Sequence, residues 1–102
     1  MPSASRRALV PADHPSLAGH FPGRPIVPGV LILELVADAA RAAIGPLQIG
    51  CVRAVKFTAP LLPQQAFDIR LDWDAKRVRF ACEREDRLLA QGSFEYARAA
   101  VR

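Results

Sequence analysis

One stretch of the sequence has the pattern of a long helix that is apolar on nearly every side. The run Gly29–Ile44 starts directly after Pro28, consists mostly of good helix formers and stops at a Gly-Pro pair, which predicts one α-helix. Its charged residues stand at i, i+4 and i+7 and share one face: Glu34, Asp38 and Arg41. Because nearly every other position is apolar, we expect this helix to be largely surrounded by protein.

The second half of the chain has the period of β-strands. Apolar and charged residues alternate over residues 67–73 and again over 77–83, which predicts two strands with one buried face each, joined by a hairpin turn near 74–77. Further strands are predicted at residues 6–10, 49–58 and 88–96. This order of elements predicts an α+β fold in which an antiparallel sheet packs on one central helix.

Length and composition limit the number of domains. The chain has 102 residues, of which 51% are hydrophobic and 24% charged, and this suffices for one folded domain but not for two cores. We predict a single domain over residues 1–102, with residues 1–5 and 98–102 as loose termini. No apolar run approaches the ~18 residues of a membrane-spanning helix, and no signal peptide is recognisable. A cytoplasmic location without a membrane partner is therefore expected.

The two cysteines do not indicate a disulfide framework or a metal site. Cys51 and Cys82 are far apart, form no C-x-x-C pair and have no histidine nearby in sequence. Both lie in apolar, strand-like contexts, where a free thiol acts as a small hydrophobic side chain. We therefore predict no bound metal.

The charge balance favours acidic partners. Fourteen Lys and Arg residues against ten Asp and Glu give a net charge of +4. The basic residues are dispersed and are not interleaved with aromatic residues as in RNA-binding surfaces, so no nucleic-acid partner is expected.

A loop rich in proline and glycine precedes the helix and contains a candidate catalytic base. Prolines at 11, 15, 22, 25 and 28 and glycines at 19 and 23 exclude both helix and sheet interior there. His20 lies in this stiff segment, where its imidazole can be aimed. With an ordinary pKa near 6.5, a histidine can take and return a proton at neutral pH.

The start of the helix offers hydrogen-bond donors for an anionic oxygen. The first amides, at Gly29 and Val30, are expected to be free and to lie at the positive end of the helix dipole. Glu34 follows on the same helix as a second acid-base group. A base, oxyanion donors and an acid are what is needed to remove a proton beside a thioester carbonyl and to expel a hydroxyl from the next carbon.

Residues 19–34, GHFPGRPIVPGVLILE, resemble the signature of the FabZ-type 3-hydroxyacyl-acyl-carrier-protein dehydratases, whose relative FabA carries Asp in place of the Glu. The resemblance continues more weakly through residues 55–57, 60–63 and 90–92. It implies a hot-dog fold, in which a curled sheet wraps the long helix, and a homodimer with an active site shared between subunits. Assembly beyond the dimer stays open.

The resemblance also implies roles for individual residues. His20 matches the catalytic histidine, Glu34 the catalytic carboxylate, and Gly29 the glycine whose amide holds the thioester carbonyl. In the family, the histidine and the carboxylate that meet come from opposite subunits. Phe21 and Val30 are candidates for the wall of the acyl tunnel. The substrate would be a (3R)-3-hydroxyacyl chain on the phosphopantetheine arm of an acyl carrier protein, dehydrated to the trans-2-enoyl thioester without any further cofactor.

Some residues depart from the family pattern and leave alternatives open. The chain lacks the helix and early strand that usually precede the motif. Asp38 stands where Gln is common, and Pro63-Gln64-Gln65 stands where Pro-Gly-Asp is usual. Similar shortened dehydratases occur in pathways for specialised acyl products such as aryl polyene pigments, so fatty-acid synthesis is only one of the pathways that this resemblance leaves open. The alternative functions are a thioesterase on the same fold and a non-catalytic acyl-binding subunit.

Overall fold

The computed structural model describes residues 2–17 and 26–99, and in these ranges it forms one antiparallel sheet and one long helix. The elements in chain order are β1 (Ser3–Ala8), a short 3-10 helix (Pro15–Leu17), α1 (Gly29–Ile44), β2 (Leu47–Phe57), β3 (Phe67–Trp73), β4 (Arg77–Arg84) and β5 (Arg87–Arg98). The strand order in the sheet is β1-β3-β4-β5-β2. The predicted α+β architecture is confirmed.

Helix α1 has the bounds that its flanking residues predict. Pro28 is the extended N-cap residue, and Gly45 ends the helix at φ 111°, where its amide donates to the Arg41 carbonyl at 2.9 Å. The Arg98 guanidinium, at the end of β5, donates to the Ile44 carbonyl at 3.0 Å. A positive φ favours glycine, and a cation suits the carbonyl end of a helix, so Gly45 and the distant Arg98 together fix the C-terminal end of α1.

The core lies between one face of the sheet and one face of the helix. Alternate residues of β3, β4 and β5 are buried as their period predicts: Phe67, Ile69, Leu71, Val78, Phe80, Cys82, Ala90, Phe94 and Tyr96. They pack against the buried helix residues Leu31, Ile32, Val36, Ala39 and Ala40. Burial also raises the pKa of the Cys82 thiol to about 12, which keeps it protonated and inert.

Both predicted loose termini are corrected in part. Strand β1 begins at Ser3, not at residue 6, and pairs with β3 from Ser3 opposite Asp72 to Ala8 opposite Phe67. A Ser-Ala-Ser segment has no strand signal of its own, but an edge strand needs only its backbone to pair. At the other end β5 extends to Arg98, and the Ala99 amide donates to the Pro46 carbonyl at 3.0 Å.

Strand β2 departs from the simple alternation predicted for it. It forms one edge of the sheet, and two register shifts against β5, between Ile49 and Val52 and between Arg53 and Lys56, mark bulges. Nearly all of its side chains are exposed. Cys51 is among them and is a free, exposed thiol, whereas Cys82 is free and buried. An edge strand with bulges cannot present one continuous buried face.

The outer face of the sheet is charged and solvated. Among the described residues, four cross-strand ion pairs lie on it: Arg7–Asp68, Arg70–Glu83, Arg79–Asp72 and Arg53–Glu95. Exposed pairs of this kind contribute about 0 to 1 kcal/mol each to the free energy of unfolding, so the ion pairs add little to the stability of the fold.

In the described ranges, no helix is long and apolar enough to cross a membrane. The same ranges hold no group of three or more His, Cys, Asp or Glu side chains arranged for a metal ion.

Candidate functional site

Among the described residues, no group accepts a hydrogen bond from the first two backbone amides of α1. The Pro28 carbonyl accepts from Leu31 at 3.0 Å and from Ile32 at 3.3 Å, which are the first hydrogen bonds of the helix. Within the described part of the chain, the amides of Gly29 and Val30 donate to no group. Two free N–H groups at the positive end of a helix dipole can stabilise an oxygen that gains negative charge.

An apolar cavity of about 450 Å³ opens beside this helix start. Its lining comes from the helix entry and from the segment that follows β2: Ile26, Val27, Gly29, Ile32, Phe57, Thr58, Ala59, Pro60 and Leu61. Volume and lining fall in the range of small-molecule sites, which are largely apolar with a few polar groups. The cavity is suited to an acyl chain whose polar end lies at Gly29.

Phe57, at the end of β2, packs directly on Gly29. A Cβ built on Gly29 would lie 2.7, 2.9 and 3.0 Å from three atoms of the Phe57 ring. No larger residue fits at position 29 while the ring is there. In the sequence, Phe57 lies in one of the weaker parts of the resemblance. Its contact with Gly29 could not be predicted there, because the two residues are distant in the chain and no local pattern links them.

Val30 and Glu34 lie on the exposed side of α1, away from this cavity. Val30 is 65% exposed, and Glu34, one turn further, is also exposed. Neither lines the cavity at Gly29. The expectation that protein largely surrounds this helix is therefore wrong for a single chain, because the sheet covers only one side of it. His20 and Phe21 lie outside the described residues.

A further exposed surface flanks the helix, which we call the open face: Val30 and Glu34 on α1, and Ile49 and Val52 on β2. Ile49 pairs with Tyr96 and Val52 with Phe94, both buried under the helix, so the two β2 residues point to the helix side of the sheet. Ile49 is 36% and Val52 49% exposed. An apolar patch next to an unpaired strand edge is typical of an interaction surface.

Comparison with known families decides the assignment. Residues 2–93 match the family model of ApeI-like dehydratases, described as ApeI dehydratase. The chain belongs to the ApeI-like dehydratase family. This match spans α1, the cavity and nearly all of the sheet, so the family relationship covers the whole candidate site.

Individual relatives agree with the family. The 3-hydroxyacyl-acyl-carrier-protein dehydratase FabZ of Chlamydia trachomatis is 37% identical over 75 residues, which cover 63% of this chain and 48% of that protein. The chain thus spans about half the length of the curated relatives it matches. The dehydratase heterocomplex ApeI:P from Xenorhabdus doucetiae superposes with a TM-score of 0.85 at 25% identity, covering 94% of this chain and 88% of that one.

The fold also occurs outside the dehydratases. The fluoroacetyl-CoA thioesterase FlK matches with a TM-score of 0.67 at 15% identity, covering 94% of this chain and 84% of that one, which is a likeness of fold alone. The hot-dog fold and the relationship to FabZ, both expected from residues 19–34, are confirmed.

Proposed function

We propose that this member of the ApeI-like family dehydrates (3R)-3-hydroxyacyl thioesters on an acyl carrier protein to trans-2-enoyl thioesters. The observation that carries the proposal is the Gly29 amide, which lies at an apolar cavity and donates to no group in the described ranges, in a chain of a dehydratase family. The cytoplasmic location expected from the sequence stays a prediction.

In the proposed reaction His20 removes the proton from the carbon next to the thioester carbonyl. The carbonyl oxygen gains negative charge and is held by the Gly29 amide. Glu34 donates a proton to the hydroxyl on the next carbon, which leaves as water while the double bond forms. One proton is thus taken and one given, so the elimination is balanced without a redox partner, metal or cofactor.

The thioesterase alternative has weaker support. Its structural basis is a likeness to FlK at 15% identity, which concerns the fold alone. Residues 19–34 carry a histidine and a carboxylate at the spacing of the dehydratase motif. A non-catalytic acyl-binding subunit would have no chemical need for both groups.

The test of this function is product analysis with 3-hydroxyacyl-carrier thioesters. We expect the conjugated enoyl thioester, and His20→Ala and Glu34→Gln should each lower the rate at least ~100-fold. Matched controls are His14→Ala, the other histidine, and Asp38→Asn, one turn further on the exposed side of α1; both should retain most of the activity. Free 3-hydroxy acid as the product would instead establish a thioesterase, and tight binding without turnover a non-catalytic subunit.

We also propose that the open face pairs with a second copy of the chain. Strand β2 is an edge of the sheet, so its outer backbone groups can pair with the same strand of another chain. Such pairing would cover Val52 and Ile49 and bring Glu34 next to the partner. Because Glu34 does not line the cavity of its own chain, a site shared between subunits explains its position.

The acyl carrier protein is proposed as the partner that delivers the substrate. Carrier proteins are acidic, and the chain has a net charge of +4. Lys56 precedes Phe57, and Arg87 lies near the same end of the sheet, since the Thr58 amide pairs with the Leu89 carbonyl. In the described ranges, neither cation forms an ion pair. Both are therefore available to an acidic surface near the cavity.

A further inference from the structure

Phe57 has two properties that a purely structural ring does not need. Its ring lies against Gly29, the residue whose amide is proposed to hold the thioester carbonyl, and it is part of the cavity wall. Yet it is 50% exposed, whereas large core residues such as Phe67 are almost fully buried. The ring thus lies at the mouth of the cavity, between solvent and the free amides.

The backbone around Phe57 is fixed, whereas the ring has room to move. Phe57 pairs with Ala90, and the next residue, Thr58, donates from its amide to the Leu89 carbonyl at 2.9 Å and from its hydroxyl to the Leu88 carbonyl at 2.6 Å. In the described part of the chain, about half of the Phe57 side chain is open to solvent. The ring can therefore turn about its own bonds while its point of attachment stays in place.

The bulge before Phe57 directs the ring toward the helix. Between Arg53 and Lys56, β2 uses one residue more than β5 does, and Ala54 takes a left-handed φ of 53° there. An inserted residue changes which face the following side chains occupy. With this register Phe57 faces the helix side of the sheet, above Gly29.

We propose that Phe57 is a specificity-determining residue that limits the length of the acyl chain. This inference rests on the proposed function, since it needs a thioester bound at the Gly29 amide. A carbonyl held there must place its acyl chain past the Phe57 ring to enter the apolar cavity. The ring therefore takes up space that a longer chain would use, and a smaller side chain at position 57 admits longer chains.

The experiment compares kcat/KM for carrier-bound 3-hydroxyacyl chains of short, medium and long length. Variants are Phe57→Ala and Phe57→Leu, which keeps apolar bulk at the cavity mouth. The ratio of long-chain to short-chain kcat/KM should rise at least ~10-fold in Phe57→Ala and less in Phe57→Leu, because single methylenes already change such ratios ~10-fold or more.

Leu9→Ala is the matched control for loss of an exposed apolar side chain. Leu9 is 46% exposed and follows β1, at the opposite edge of the sheet from β2. Its length profile should equal that of wild type. Thermal unfolding and sizing of each variant separate a changed site from a changed fold or assembly.

A double substitution gives a second readout. In wild type a methyl group at position 29 meets the ring, so Gly29→Ala should cost more kcat/KM than the same change made in the Phe57→Ala background. Equal costs in both backgrounds would mean that the ring does not occupy the approach to Gly29, and would overturn the inference.

The outcomes separate this inference from the function on which it rests. If the wild-type enzyme is active but Phe57→Ala leaves the ratio of long-chain to short-chain kcat/KM unchanged, or lowers kcat/KM equally for all chain lengths, only the proposed role of Phe57 is overturned. A wild-type chain that forms no enoyl product overturns the proposed function, and the inference with it.

Discussion

Gln64 takes a left-handed backbone conformation, with φ 69°, in the turn that leads into β3. Its amide donates to the Val10 carbonyl at 2.8 Å, and the neighbouring Gln65 side chain accepts from the Leu62 amide at 3.1 Å. Gln64 is the position at which the resembling dehydratases usually carry glycine in a Pro-Gly-Asp turn. The turn keeps its hydrogen bonds here, but a residue with a Cβ adopts the conformation that favours glycine.

Gln64→Gly should therefore stabilise the protein. Relief of the left-handed strain outweighs the added freedom of the unfolded chain, and we expect a gain of about 0.5 to 1 kcal/mol in the free energy of unfolding, measured with urea. The matched control is Gln65→Gly, which removes the acceptor for Leu62 and should cost about 1 kcal/mol. Destabilisation by both substitutions would contradict this account of the turn.

At the scale of elements, the sequence predicts what is fixed locally. Helix α1 begins after Pro28 and ends at Gly45 as predicted, and β3 has the predicted bounds, with Phe67, Ile69 and Leu71 on its buried face. Strands β1 and β2 were placed less well. They are the two edges of the sheet, where pairing on one side alone leaves side chains exposed and the apolar pattern weak. Their limits depend on partner strands that local sequence does not show.

The β3–β4 hairpin turn is held by one carboxylate. Asp74 Oδ1 accepts from the amides of Lys76 at 2.8 Å and Arg77 at 2.9 Å. These backbone hydrogen bonds, first Lys76 and then Arg77, lower the pKa of Asp74 below its ordinary value of 3.8. A lowered pKa stabilises the fold at pH values above the unfolded-state value, and this contribution is lost as the pH falls through the folded-state pKa.

Asp74→Asn should therefore lower the melting temperature at neutral pH. The gap to wild type should narrow as the pH falls below about 3.8, where the unfolded chain takes up the proton, and should close only below the lowered pKa of the folded state, where the carboxyl group is neutral in both states. Scanning calorimetry over pH 2 to 7 measures this. The control is Asp86→Asn in the β4–β5 turn, whose carboxylate makes no hydrogen bond in the described ranges. If Asp86→Asn shows the same pH-dependent difference in melting temperature, the effect comes from the change in net charge and not from the hydrogen bonds of the β3–β4 turn.

At the scale of the whole molecule, the candidate site was predictable only in part. The free amides at Gly29 and Val30 follow from the start of the helix, which local sequence predicts. The packing of Phe57 on Gly29 does not, because it depends on the fold that brings the end of β2 to the start of α1. The expected meeting of His20 with Glu34 stays a prediction, and it depends on a second chain.

Mixing two inactive variants tests that meeting. If the site takes its histidine from one subunit and its carboxylate from the other, a mixed dimer of His20→Ala and Glu34→Gln chains has one fully intact site. Random pairing of equal amounts then restores about a quarter of the wild-type activity. The variants are unfolded and refolded together, or co-expressed, and assayed for enoyl product against each variant alone.

The control tests whether the restored activity depends on pairing through the open face. Adding Val52→Asp to both chains places a carboxylate in the proposed β2 interface, where an unpaired buried charge costs several kcal/mol. The double variants should therefore run as monomers on sizing, and the restored activity should be lost. Adding Leu9→Asp, at a similarly exposed position beyond the other sheet edge, should leave it intact. A mixture that stays inactive although mixed dimers form would place both groups in one chain. A heterocomplex is described for ApeI of Xenorhabdus doucetiae. If this chain pairs only with a different subunit, the shared site belongs to a heterodimer, and the homodimer proposal is wrong.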